Sequence, residues 1–178
     1  MQRFEASPWS TSLKVVSGLG TVLLVAVTYA LHRTLPRGSR APFAEELGTI
    51  LALVPGLILL VSILFVVKEY RLEAGRLHVG RLLWSTRVDL EGLDHAWHDP
   101  SAMTRSLRVF GNGGLFAITG LFQNATLGRY RAYVTDPKQA VVLRTPGRVV
   151  VVSPASPGGF LGGVAAVFPA VAAYPPGT

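Results

Sequence analysis

Two long uncharged apolar runs near the N-terminus limit what this chain can become more than any other feature. Val15 to Leu31 reads VVSGLGTVLLVAVTYAL, and Leu47 to Val67 reads LGTILALVPGLILLVSILFVV. A bilayer core takes about 20 helical residues to cross, so the first run is at the short end and the second spans with some tilt. Neither carries the polar stripe of a helix packed on a soluble core. The reading is two transmembrane helices, 13–32 and 47–67, within a membrane anchor over residues 1–67. Pro55-Gly56 lies inside the second run; the lost N–H bond is satisfied locally in lipid, which predicts a kink rather than a break. Trp9, Tyr29 and Tyr70 fall near the span ends, where aromatic belts form.

A cleavable signal peptide is the competing reading of the first run, with Thr28 and Ala30 as a small-x-small site. The region before it is long and holds only Arg3 and Lys14 as positive charges. A charged connection from His32 leads straight into the second run, so a helical hairpin is the simpler account. Arg33, Arg37 and Arg40 lie in that connection. Arg3, Lys14, Lys68, Arg71, Arg76, Arg81 and Arg87 flank the other side, and the positive-inside bias places both termini in the cytoplasm of a multi-pass cell-membrane protein.

Composition agrees. Charged residues make up 15% and hydrophobic ones 49%, where a soluble domain carries about a quarter charged. The absence of cysteine removes disulfides, thiol catalysis and Cys-ligated metal. A net charge of +7 suits a membrane surface or nucleic acid.

From Lys68 the pattern changes to short strands and turns. Tyr70–Leu72, Leu77–Val79, Thr86–Leu90, Ala96–His98, Tyr130–Thr135, Ala140–Thr145 and Val149–Val152 are candidate strands, divided by Gly75, Gly80, Gly92, Asp99-Pro100, Asp136-Pro137 and Pro146-Gly147. The run of four valines at 149–152 suits a strand covered on both faces. Ser156 and Pro157 are a helix N-cap and first residue, with Phe160, Leu161, Val164 and Phe168 on one face. Gly158, Gly159, Gly162 and Gly163 weaken that helix but allow close approach. A third membrane span is a poorer reading, because the segment is short and interrupted by Pro169. The expected fold is a two-helix transmembrane hairpin plus a mainly β, pleckstrin-homology (PH)-like domain over 68–170. It has about seven antiparallel strands in a partly open barrel, a C-terminal helical cap, and a frayed tail over 171–178.

Ordered short motifs carry a resemblance. Phe110-Gly-Asn-Gly-Gly-Leu-Phe116, Gly120-Leu-Phe122, Leu127-Gly-Arg-Tyr130, Tyr133-Val-Thr135 and Ser153-Pro154 followed by Phe160 resemble a bacterial PH-like family, over Tyr70 to Phe168. Its members commonly carry one or two membrane helices ahead of the domain. The resemblance implies a PH-like fold on a membrane stem and assigns no molecular role. The glycine pairs at 158–159 and 162–163 depart from the more polar terminal helix the family leads one to expect.

Within the domain, Phe110 to Asn124 is the most unusual stretch. A phosphate-cradling loop is a weak reading, because no Gly-Lys-Ser/Thr follows. An apolar loop of Phe110, Leu115, Phe116, Leu121 and Phe122 that touches lipid, a partner or the open barrel edge is one alternative. A bulged hairpin whose aromatics fill the core is the other, and the favoured one. Arg129 and Arg131 share a strand face, with Arg105 and Arg108 beside them, forming a candidate surface for anionic lipid headgroups or an acidic protein partner. A merely solvated basic face is the plainer alternative. Asp94-His95 and His98-Asp99 form the densest His/Asp cluster, but on a strand the two histidines point to opposite faces and cannot share an ion. Asn124-Ala-Thr126 matches a glycosylation sequon that a cytoplasmic location would make irrelevant.

No catalytic constellation, cofactor fingerprint or metal set stands out. The expected function is a non-enzymatic membrane protein whose PH-like domain binds or scaffolds at the inner leaflet. Self-assembly into a homo-oligomer through small-residue helix faces is the runner-up. An enzyme acting on lipid headgroups ranks below it, and nucleic-acid binding lower still, for want of stacking aromatics beside a modest basic surplus.

Overall fold

The computed structural model describes residues 2–34 and 42–174, without the side chains of 42–45. Arg37 and Arg40 of the hairpin connection and the last four residues of the tail lie outside the described residues.

A short strand, β1 (Gln2–Glu5), precedes two helices, α1 (Thr11–Thr34) and α2 (Pro42–Leu64), which pack against each other. Both are long and apolar enough to cross a membrane, and α2 runs through Pro55 without interruption. Almost none of either helix is buried within the protein. Then follow β2 (Glu69–Glu73), β3 (Arg76–Gly80), β4 (Ser85–Asp89), β5 (His95–His98), β6 (Leu107–Gly113), β7 (Ile118–Asn124), β8 (Gly128–Val134), β9 (Val141–Thr145), β10 (Arg148–Val152) and α3 (Pro157–Val167).

The strands form two sheets, ordered β1-β2-β3-β4 and β5-β9-β10-β8-β7-β6, which do not close into a barrel. The mainly β, PH-like fold with a C-terminal helix is therefore as read from the sequence. The strand count is larger, because the glycine-rich stretch before Asn124 supplies β6 and β7 and the residues ahead of α1 supply β1. One neighbouring pair, β8 with β10, is parallel.

β1 pairs antiparallel with β2, from Gln2 opposite Leu72 to Glu5 opposite Glu69. The buried Glu69 carboxylate holds Arg3 and Arg71 together across that junction. The Ser7 amide donates to the Ser153 carbonyl, and the Thr135 hydroxyl donates to the Ser7 carbonyl. The residues ahead of α1 are thus part of the β-domain. The start of α1 and the end of α2 accordingly lie on the same side of the helical hairpin.

The valine run of β10 divides as alternation requires. Val150 and Val152 join Tyr70, Leu72, Leu77, Leu143 and Phe160 in the core between the sheets and α3, while Val149 and Val151 join Trp97, Phe122, Tyr130 and Val142 on the other face. α3 begins as its sequence dictates, the Ser156 hydroxyl accepting from the Gly159 amide with Pro157 in the first turn. Gly163 leaves room for the Phe4 ring, and Phe4 meets Phe160 edge-on at 5.2 Å between centroids.

Candidate functional site

The β6–β7 hairpin is bulged between Arg108 and Phe110. Gly111 and Gly120 face each other across it with φ of 109° and 143°, and a β-carbon on either would strike the opposite backbone. Its tip is held by Asn112, whose carboxamide oxygen accepts from the Gly114 and Leu115 amides. The tip docks on α1: the buried Ser17 hydroxyl donates to the Gly114 carbonyl at 3.2 Å and accepts from the Phe116 amide at 2.8 Å. Trp9 lies against the Phe116 ring at 5.8 Å.

The aromatics of this stretch therefore part company. Phe122 is 6% exposed and fills the outer core, and Phe116 rests on Trp9. Phe110 is 79% exposed. The hairpin is the bulged one expected, but only some of its large side chains enter the core, because the bulge changes which residues of β6 face inward.

Beside the hairpin is a cavity of about 920 Å³. Its floor is the face of β6, β7 and β8 carrying Phe110, Thr119, Leu121, Arg131 and Tyr133, residues that the ladder places opposite one another. One wall is the end of α2, with Ile58, Val61 and Phe65. The remaining side holds Arg81 and Thr86, from the β3–β4 hairpin, and Leu115.

Arg81 is the fixed cation of this cavity. It is 9% exposed, donates to the Phe65 carbonyl at 2.6 Å and to the Thr86 hydroxyl at 3.0 Å, and lies over the Phe65 and Tyr133 rings at 4.8 and 5.7 Å. Burial pushes its pKa below the ordinary value, while Tyr133 and Tyr70 oppose that shift. A guanidinium stays charged through the physiological range regardless. Arg108 also lines the cavity, its side chain running over Gly113, where a β-carbon would come within 2.6 Å of a guanidinium nitrogen. Among the described residues, the carboxylate ion pairs involve Arg3, Arg71, His78 and His95, and none reaches Arg81, Arg108 or Arg131.

Of the four candidate arginines, the structure brings Arg108 and Arg131 into the cavity. Arg129 is exposed on β8 opposite Gln123 without lining it, and Arg105 occupies the turn before β6 with φ of 52°. Arg81, Tyr133 and Ser17 were missed as site residues. For Arg81 the only sequence signal is a lone cation between Gly80 and the apolar Leu82-Leu83-Trp84. His95 and His98 alternate along β5 away from the cavity; His95 lies 3.3 Å from Asp94, and His98 approaches the Lys138 carbonyl. Among the described residues no group of three or more His, Asp or Glu is placed to hold a metal. Asn124 of the sequon bonds the Ala102 carbonyl, the Ser106 hydroxyl and the Leu127 amide.

Two facing sheets left open on one side, capped by a C-terminal helix and joined to a pair of apolar helices, define a PH-like module on a helical stem. The bacterial PH domain family model matches residues 68–165, over half of the chain, and the chain belongs to that family. Curated proteins and solved structures give no match. The β1 strand and the Ser7–Ser10 segment lie outside the matched range and yet complete the domain.

Proposed function

We propose that this protein is a membrane-anchored recognition module: α1 and α2 cross the membrane as a hairpin, and the PH-like domain binds or scaffolds at the cytoplasmic leaflet without catalysing a reaction. The observation that carries this is the set of bonds that seat the domain at the base of the helices. β1 enters its sheet directly before α1, β2 follows α2, and Ser17 clamps the β6–β7 tip to the first turns of α1. A tether alone needs no such contacts; a module that reads something at the bilayer surface needs a fixed height and orientation.

The apolar residues around that base support the same reading. Leu82, Leu83 and Trp84 at the β3–β4 turn, with Leu107, Val109 and Phe110 on β6, are exposed. An apolar set of this kind marks an interaction surface. Set level with the headgroups, it would lower its free energy by entering the interface.

Fractionation of cells expressing the full chain tests the anchor. It should stay in the membrane pellet after alkaline carbonate and leave it only with detergent. Release by carbonate would overturn the reading. Protease added outside intact spheroplasts should spare the β-domain, and its digestion there would reverse the assigned side.

A further inference from the structure

We propose that the cavity between the end of α2 and the β6–β8 face holds an anionic phospholipid, its phosphate among Arg81, Arg108 and Arg131 and an acyl chain along Ile58, Val61 and Phe110. The proposal rests on the membrane-anchored reading above and names the ligand of that site.

The lining supplies both the cations and the apolar surface that such a molecule needs. Arg81, Arg108 and Arg131, from β3–β4, β6 and β8, all line the cavity, and among the described residues no carboxylate pairs with them. Arginine presents a planar fork of donors that fits a phosphate. Arg81 is already oriented by Phe65 and Thr86, so little of its rotamer freedom is left to lose on binding. A buried cation without a counter-ion is costly, and a bound anion offsets that cost. Ile58 and Val61 of α2 give an apolar wall continuous with a helix that enters the bilayer, and Phe110 and Leu121 extend the apolar surface across the floor beside Arg131. A soluble phosphate ester would satisfy the arginines and leave this wall wet. A peptide would lack a way in along α2. The volume of about 920 Å³ takes a headgroup and the upper part of one chain.

The headgroup follows from the charge. A zwitterionic choline lipid would bring its own cation against three others, whereas phosphatidylglycerol adds only hydroxyls. Each arginine near an anionic headgroup strengthens association by about fivefold.

Detergent-purified full chain is mixed with equimolar phosphatidylglycerol and phosphatidylcholine, and native mass spectrometry reads the lipid retained. Phosphatidylglycerol should be retained on the order of a hundredfold over phosphatidylcholine. Arg108→Gln with Arg131→Gln should cut that preference to about fivefold, with near-ultraviolet circular dichroism unchanged, since both side chains are exposed and neither takes part in an ion pair among the described residues. Arg129→Gln, on the same strand but outside the cavity, should keep it. Soluble glycerophosphoglycerol should fail to displace the lipid. Equal retention of the two lipids, or an unaltered preference in the double variant, overturns the site while leaving the anchor standing. Displacement by the soluble ester overturns the acyl-chain part. Flotation of the same preparation with liposomes tests the anchor separately, and failure there removes the basis of both.

Discussion

Ser17 and Phe116, 99 positions apart in the chain, are joined by a 2.8 Å hydrogen bond from the Phe116 amide to the Ser17 hydroxyl. The same hydroxyl donates to the Gly114 carbonyl, so one small polar side chain on an apolar helix satisfies two of the backbone groups of a hairpin tip. Phe116 itself holds a left-handed φ of 65°, a conformation a bulky residue keeps only where its surroundings demand it. Ser17→Ala should free the tip at a cost of about 1–3 kcal/mol. Hydrogen exchange at the Phe116 amide should accelerate accordingly, while β8 to β10 keep their protection. Unchanged exchange at Phe116 would show that the hydroxyl does not hold the domain to the helix.

The hairpin also depends on the glycine pair behind its tip. At Gly120 a side chain meets both obstacles at once, a left-handed φ and the Phe110 carbonyl of the facing strand. Gly120→Ala should destabilise the domain by about 3 kcal/mol or more. Gly147, in the β9–β10 turn, has neither a left-handed φ nor a neighbour within 4 Å of a built β-carbon. Gly147→Ala should therefore stay within about 1 kcal/mol of the parent. Urea unfolding of the two variants side by side checks the contrast, and equal midpoints would contradict the close approach of β6 and β7.

These residues show where the sequence was readable and where it was not. Period-2 alternation, turn dipeptides and the Ser156-Pro157 cap are local signals, and they located seven strands and α3 directly. The β6–β7 stretch was legible as a bulged hairpin, but its register and the choice of buried aromatics were not, because the Gly111–Gly120 contact that sets them is made across the strands. β1 escaped because QRFE has no turn chemistry beside it, and only pairing with β2, some 65 residues on, makes it a strand. The same is true of the cavity. Arg131 stood out through its spacing from Arg129, yet what separates them is the reach of α2, a tertiary fact. Arg81 and Ser17 draw their roles wholly from what lies across from them in space.

Tyr70 ties the two sheets together and should make stability depend on alkaline pH. Its hydroxyl donates to the Tyr133 carbonyl at 2.6 Å and accepts from the Ser153 amide at 3.1 Å. Burial raises its pKa from 10.0 to about 12, against the opposing pull of the Ser153 hydrogen bonds and of Arg81. The folded state thus keeps a proton that the unfolded chain releases first. Its contribution is intact below pH 10 and is lost as pH climbs from 10 to 12, a fall of about 2–3 kcal/mol. Tyr70→Phe should cost about 1–3 kcal/mol at neutral pH, by leaving two buried backbone groups unpaired. It should also flatten the decline between pH 10 and 12, though not wholly, since burial raises Tyr130 as well. An equally steep decline in the variant would mean that another group carries the dependence.

The apolar rim should meet the bilayer surface. Leu83 is 73% and Leu107 76% exposed, at the β3–β4 turn and the start of β6, and Trp84 beside Leu83 meets Phe65 edge-on at 5.4 Å. Phe65 immediately follows α2, so this turn is fixed to the base of the helices rather than swinging free. A leucine moved from water into the interface gains about 1.5–3 kcal/mol at full burial, and these side chains have no protein neighbours to bury them. Because the chain has no cysteine, Leu83→Cys gives a unique site for a nitroxide label. In liposomes that label should relax more with oxygen, which concentrates in lipid, than with a water-soluble nickel chelate. A label at Lys138→Cys, exposed in the turn ahead of β9, should show the reverse. Equal exposure of both labels to nickel would mean that the domain stands clear of the surface, and the rim would then await a protein rather than a bilayer.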